Sequence, residues 1–484
     1  MNKTIRRAAV FSLLLVLALL VRATWVQGYE GKALADDKYN RRKIIAQYAQ
    51  PLGDIIVAGS PVTGSKRTEG SDLAYKRTYT DGELYAAVTG YSSQAYGSTQ
   101  LEGIYSGVLD GTDTRLKSPL DALTRKQSEP GDVLTTIDPA VQKAAFEALG
   151  DKKGAAVAID PRTGRILGMA STPSYDPSKI SGTTDGDAWK RLSEDDKDRP
   201  MLNRALRQPL PPGSTFKLVV AAAALEDGLY ASVDERTDSP DPYTLPHTRT
   251  VLENENKSAP CANATIRTAL QYSCNNVFGK MAADLGQDKV RAMAEKFGFN
   301  DAEQDVPVRT AKSLYPSGMD AAQTALTGIG QFDVTATPLQ IAMVSAALAN
   351  DGVLESPHMV SEVVDSDGTT LRSYEDTGSR RIVSSGTAEQ LRSAMVTVVE
   401  DGTGTNARIE GAEVGGKTGT AQHGTDNSGT PYAWFTAYAK STGEEGKEVA
   451  VAVLVEDSGA ARSEVSGNGL AAPIAQKMMK AALG

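Results

Sequence analysis

Residues 208–217 read QPLPPGSTFK, and the chain continues LVVAAAALEDG to residue 228. Proline and glycine punctuate chains, so the first half predicts an interruption; the second half predicts a helix too apolar for a surface position. Lys217 is the residue out of place. Lysine complements the C-terminal end of a helix dipole, yet this one stands at the start, three residues after Ser214. If the helix begins at Ser214, that spacing puts Ser214 and Lys217 on one face at the positive end of the dipole. There a backbone N–H can meet a developing oxyanion. A lysine whose proton affinity is lowered by burial or by a second cation can act as general base toward the hydroxyl. The plain alternative is a serine N-cap followed by a solvated lysine. Two features weigh against it. Ser214-Thr215-Phe216-Lys217 is the only S-x-x-K in the chain, and the apolar run behind it buries the helix on most sides.

Two more short motifs follow. In LQYSCNNVFGK, Ser273-Cys274-Asn275 places a hydroxyl and an amide two positions apart at a helix end, where one can relay a proton and the other bind a carbonyl. The alternative is a helix cap with polar turn residues, and S-x-N is weak by itself. Ser466-Gly467-Asn468 also matches; that copy lies in a glycine-rich turn and is read as a decoy. Lys417-Thr418-Gly419-Thr420, the only K-T-G, falls in a predicted strand. Alternation there turns Lys417 and Gly419 one way and Thr418 and Thr420 the other. The glycine lets a ligand approach, the lysine and hydroxyls suit a carboxylate, and the Thr420 N–H is available as an oxyanion donor. The alternative is an edge-strand lysine that blocks aggregation.

Around these motifs, 484 residues leave room for two or three domains. A net charge of −9 argues against broad nucleic-acid binding, and no Walker loop, HExxH or CxxC points to a nucleotide or metal. Lys3, Arg6 and Arg7 precede the apolar segment 8–21, AAVFSLLLVLALLV, which residues 23–27 extend with Trp25 at an interface position. This is read as an uncleaved membrane anchor, with a cleaved signal peptide as the alternative. Basic residues ahead of the span put the bulk of the chain outside the cytoplasm. In an exported chain the two cysteines, Cys261 and Cys274, are either paired or two buried thiols; spacing alone does not decide.

Further along, PLGDIIVAGSPVTGS (51–65) reads as a short hairpin, and 78–130 as short strands with one helix around GSTQLEGIYSGVLDG (97–111). Asp138-Pro139 caps a helix running to Leu149, and 154–171 reads as a hairpin around Asp160–Gly164. A long helical middle is expected over 214–350, then three strands within 412–457 and a closing helix. The pattern is α+β, a mostly antiparallel sheet flanked by helices. The expected divisions are 1–27 tail and transmembrane anchor, 28–130 a non-catalytic pedestal, and 131–484 the catalytic domain.

S-x-x-K, S-x-N and K-T-G in this order resemble the signatures of penicillin-recognising serine enzymes. With PLGDII (51–56), GSTQLEGIYSGVLDG, VLTTIDPAVQ (133–142), NRALRQPLPPGSTFK (203–217), GIGQFDVTATPLQIA (328–342) and GGKTGTAQ (415–422), the chain resembles class B penicillin-binding proteins, more narrowly the PbpA type of actinobacteria. The resemblance covers nearly the whole chain. One departure is Leu52-Gly53-Asp54, where the family usually has Arg-Gly-Asp, which leaves the pedestal's internal contacts open. No glycosyltransferase domain is expected, which excludes the bifunctional class A proteins.

The resemblance implies a peptidoglycan D,D-transpeptidase that works through a Ser214 acyl-enzyme, is acylated by β-lactams and needs no cofactor. Lys217 would be the base and Ser273 a proton shuttle. Asn275 would bind the peptide amide, and Lys417, Thr418, Gly419 and Thr420 the terminal carboxylate side. The N–H groups of Ser214 and Thr420 would form the oxyanion hole. Implied partners are stem peptides ending in D-Ala-D-Ala, the membrane, and a membrane glycosyltransferase of the shape, elongation, division and sporulation family. The resemblance also raises the case for a Cys261–Cys274 disulfide, since such proteins often carry a cysteine upstream of an S-C-N turn. The alternatives are a D,D-carboxypeptidase or a catalytically inactive division scaffold. A β-lactamase would need a water-activating carboxylate and would normally be a shorter chain without a pedestal, and His423 is read as a loop residue.

Overall fold

The computed structural model describes residues 3–30, 41–69, 71–116, 128–374, 378–424, 427–443 and 446–484. Parts of the expected tail (1–2) and of the expected pedestal (31–40, 70 and 117–127) lie outside the described residues.

A five-stranded antiparallel sheet carries the catalytic half. Its order is Ala412–Ala421, Tyr432–Ser441, Glu448–Asp457, Lys153–Ile159, Ile166–Thr172. The strand Ala412–Ala421, which bears Lys417–Thr420, is therefore an edge. Strand sequences such as VAVAVLV are apolar at every position because both faces are covered. Period-two alternation divides them between two cores. Ala155, Val157, Ala452 and Leu454 face the helical middle, whereas Ala156, Ala158, Val451 and Val453 face the helices Pro139–Leu149 and Ala472–Leu483. The Pro139 helix starts as its sequence demands: the Asp138 carboxylate accepts from the N–H groups of Ala140 and Val141.

The expected helical middle is broken. Helices Lys217–Glu226, Ile266–Gln271, Asn275–Leu285, Gln287–Phe297, Ala321–Thr327 and Pro338–Ala349 are present, but residues 227–265 hold turns and one short hairpin, Tyr243–Thr244 with Val251–Leu252. Pro240, Pro242 and Pro246 remove the donors that a helix there would need.

The pedestal likewise departs from its one-helix expectation. Gly82–Thr89 is a helix, and 97–111 forms two, Gln100–Ile104 and Ser106–Leu109, separated at Tyr105. The predicted hairpin is present as Ile55–Val57 with Ser60–Pro61. Strand Asp132–Thr135 pairs in parallel with Ile55–Val57 and antiparallel with Val360–Val364. The expected boundary at 130/131 thus enters a sheet that joins the two parts.

Leu52-Gly53-Asp54 finds its partners inside the pedestal. Leu52 is buried with Tyr48 and Leu73, and the Gly53 carbonyl accepts from Arg77 Nη1 at 2.7 Å. Asp54 lies 3.4 Å from the same nitrogen. Arg77 is fully buried, and its Nε donates to Glu102 at 2.5 Å. At the N-terminus, the helix Lys3–Trp25 is exposed throughout and is long and apolar enough to cross a membrane.

Removing one member of a buried ion pair strands the other charge. Glu102→Ala is expected to destabilise the protein by about 3–5 kcal/mol in urea unfolding, while Lys143→Ala, whose exposed pair with Glu147 spans one helical turn, changes it by less than about 0.5 kcal/mol.

Candidate active site

Ser214 does not begin the α-helix. Gly213–Phe216 is a 3₁₀ turn, and the α-helix runs Lys217–Glu226. In 3₁₀ geometry side chains three apart eclipse, so the turn stacks Lys217 on Ser214 more directly than an α-helix would. Ser214 caps nothing, and its residue is buried but for a sliver, 8% exposed. The turn is wedged by backbone. Gly213 adopts φ +54° and donates its N–H to the Gly330 carbonyl, and a Cβ on Gly330 would fall 2.0 Å from the Gly213 carbonyl oxygen. Gly213 also rests against the backbone of Thr420.

Lys217 is completely buried, and its ammonium has three acceptors: the Ser273 carbonyl at 2.8 Å, Ser273 Oγ at 3.2 Å and Asn275 Oδ1 at 2.8 Å. Lys417, equally buried, reaches the same Ser273 Oγ at 3.0 Å and the Thr418 carbonyl at 3.0 Å. The three motifs therefore converge on one hydroxyl. Burial holds Lys217 well below the ordinary lysine range, and the charge of Lys417 lowers it further. Burial also pulls Lys417 down to about 7. The exposed carboxylate of Glu255 opposes both shifts.

Ser273 owes its position to a helix ending. The helix Ile266–Gln271, capped at its start by the Thr265 hydroxyl, closes with Cys274 N–H donating to the Ala269 carbonyl and Ser273 N–H to that of Leu270. This is the paired Schellman pattern, which needs a left-handed residue, usually glycine. Here Ser273 takes it at φ +60°. A side chain there carries strain, and strain of this kind gathers at functional sites. Cys274 is joined to Cys261, with Cα atoms 5.6 Å apart.

Residues that motif reading did not single out complete the turn. Asn254 Oδ1 accepts from the N–H groups of Asn275 and Asn276, and Asn276 Nδ2 donates to the Cys261 carbonyl. Asn275 Nδ2 donates to the Glu253 carbonyl. Buried asparagines beside a cysteine were the available signal, but the loop that carries Glu253 and Asn254 has no periodicity to place it.

Thr418 pairs its hydroxyl with that of Thr403 at 2.8 Å. Gly419 is approached by the chain itself: a Cβ there would lie 2.9 Å from the Pro212 carbonyl and 3.1 Å from Thr215 Cγ2. The expected open approach for a ligand is thus filled by the Ser214 turn, and the glycine lets that turn pack on the strand. Ser466-Gly467-Asn468 lies behind this strand. A Cβ on Gly467 would sit 2.9 Å from the Gly419 carbonyl, while Asn468 is clamped to Asn406. His423 stacks on Tyr432 and meets the Thr430 carbonyl.

A mostly antiparallel sheet with a serine–lysine turn, a second serine between two lysines and a K-T-G edge strand defines a class. The profile of the penicillin binding protein transpeptidase domain matches residues 154–480, and that of the penicillin binding protein A dimerisation domain matches 52–133. The chain belongs to the penicillin-binding protein transpeptidase family. Over its whole length it is similar to proteins named peptidoglycan D,D-transpeptidase PbpA. That of Mycolicibacterium smegmatis is 38% identical, with 100% of this chain and 99% of that one covered. That of Mycobacterium tuberculosis is 36% identical over the same shares. The structure of penicillin-binding protein A from M. tuberculosis as a ceftriaxone acyl-enzyme complex superposes with TM-score 0.83 at 35% identity, covering 91% of this chain and 100% of that chain. Its penicillin G acyl-enzyme complex gives 0.80 at 36%, covering 90% and 100%.

The left-handed Ser273 yields a paired test. Ser273→Ala and Ser273→Gly both remove the hydroxyl shared by the lysines, and both are expected to slow acylation. Glycine alone relieves the backbone, so Ser273→Gly should be the more stable of the two by about 1 kcal/mol in chemical denaturation.

Proposed function

We propose that the chain crosslinks peptidoglycan by two-step acyl transfer at Ser214. Neutral Lys217 takes the hydroxyl proton as Ser214 Oγ attacks the carbonyl between the last two D-alanines of a stem peptide. The oxyanion lies between the N–H groups of Ser214 and Thr420. Collapse breaks the C–N bond, and the proton passes by way of Ser273 to the departing D-alanine. An amine of a second stem peptide then attacks the acyl carbon and releases Ser214. Lys417, Thr418 and Thr420, on the strand backed by Gly419, hold the donor's carboxylate, and Asn275 orients its amide. β-Lactams acylate the same serine as substrate mimics. Dividing one amide exchange into two covalent steps lets side chains alone do the chemistry.

The observation that carries this reading is the meeting of Lys217 and Lys417 on Ser273 Oγ. It supplies a lysine that can be neutral near neutral pH and a path for its proton. The names and titles of the relatives support the substrate and β-lactam assignments. We assign residues 1–27 to a tail and membrane anchor, 28–130 to the pedestal and 131–484 to the transpeptidase domain. Lys3, Arg6 and Arg7 ahead of the apolar helix support a catalytic domain outside the cytoplasm, where a Cys261–Cys274 bridge persists. The class B resemblance supports a membrane glycosyltransferase of the shape, elongation, division and sporulation family as partner.

Fluorescent penicillin with intact-mass readout tests the site. Ser214→Ala is expected to remove the covalent adduct; an adduct that survives moves the nucleophile elsewhere. Lys217→Arg keeps the charge but cannot give up a proton, so it should acylate at least about a hundredfold more slowly than wild type, as slowly as Lys217→Ala. A near-native rate in Lys217→Arg would make the lysine a fixed charge and not a base.

A further inference from the structure

One charged residue at the cleft is unused by the acylation machinery. Residues 253–255 are drawn over the Ser273 turn. The Glu253 carbonyl accepts from Asn275 Nδ2, and the Asn254 side chain holds the N–H groups of Asn275 and Asn276. Glu255 follows directly, with its side chain exposed. Glu253 is engaged with Lys257, whereas Glu255 has no ion-pair partner among the described residues. Among those residues it is also the carboxylate whose charge acts on both buried lysines.

The second half-reaction, if the transpeptidase reading holds, needs an amine. A primary alkyl amine has a pKa of about 10.4 and arrives at neutral pH as an ammonium. Any charge on Lys217 or Lys417 repels it, and in the same reading the Lys417 strand is occupied by the donor's carboxylate. From this arrangement we propose that Glu255 is the binding residue for the acceptor, holding the incoming ammonium at the mouth of the cleft beside Ser273 and Asn275. The protons balance. Of the ammonium's three, one stays on the new amide, one goes to Ser214 Oγ as the acyl C–O bond breaks, and one leaves through Lys217 to solvent. Glu255 forms no covalent bond and adds specificity for a cationic nucleophile over water.

The test follows the partition of the acyl-enzyme between water and amine. Full-length protein in detergent is acylated by a thioester analogue of the donor, and a stem tripeptide bearing a side-chain primary amine competes with water. The expected result for Glu255→Gln is a split. Its aminolysis-to-hydrolysis ratio falls about fivefold or more, through a raised KM for the tripeptide. Acylation by penicillin holds at or above the wild-type rate, because losing the carboxylate makes Lys217 easier to deprotonate. Glu255→Asp should recover part of the ratio and Glu255→Lys should lower it further. Added salt should depress the wild-type ratio more than that of Glu255→Gln. A wild-type ratio in Glu255→Gln, or acylation and aminolysis lost together, overturns the proposal. A wild-type protein that acylates yet transfers to no amine overturns the transpeptidase reading itself, and the role of Glu255 with it.

Discussion

Two lysines cannot both remain ordinary cations, fully buried around one half-buried hydroxyl. Lys217 and Lys417 are each fully enclosed, and each donates to Ser273 Oγ. Desolvation disfavours the charged form of either, and the charge of Lys417 disfavours that of Lys217. Burial would be a liability in a structural residue. In the proposed chemistry it makes a base of Lys217, and it pulls Lys417 down to about 7. The rest of the catalytic half serves to keep these three side chains in register.

That register is enforced by backbone from three directions. The turn bearing Ser214 is pinned between Gly330 and Gly419, each of which would clash if it carried a Cβ. The edge strand bearing Lys417 is paired along its whole length with Tyr432–Ser441 and backed by Gly467. Ser273 sits where a helix ends, in a conformation that glycine would adopt more readily. The bond from Cys274 to Cys261 closes a loop of thirteen positions, worth roughly 3 kcal/mol in the chain-entropy account, and Asn254 and Asn276 tie that loop to the turn. A strained serine persists because its surroundings leave it no other place.

The sequence made much of this legible because its strongest signals are local. A lysine at the wrong end of an apolar helix is visible without a structure, and so are the strands of 412–457, whose boundaries depend on apolar runs and turn residues. The 3₁₀ geometry at Ser214 was hidden because it depends on Gly330, more than a hundred positions away. Gly419 was read as a space for ligand, whereas the space is taken by Pro212 and Thr215. The interruption over 227–265 and the helix Gly82–Thr89 were missed where weak periodicity gave way to tertiary packing. Glu255 carries no motif at all. Its position follows only from the hydrogen bonds of its two neighbours.

The protonation of Lys217 is the quantity on which the account stands. It can be read directly by carbon-13 NMR of protein labelled at lysine Cε, titrated from acid to alkaline pH, with Lys217→Arg and Lys417→Arg used to assign the resonances. Two lysines are expected to titrate well below the usual value of about 10.4, Lys417 near 7, with the Lys217 midpoint rising when Lys417 is replaced by methionine. A Lys217 resonance that titrates with the surface lysines would contradict it.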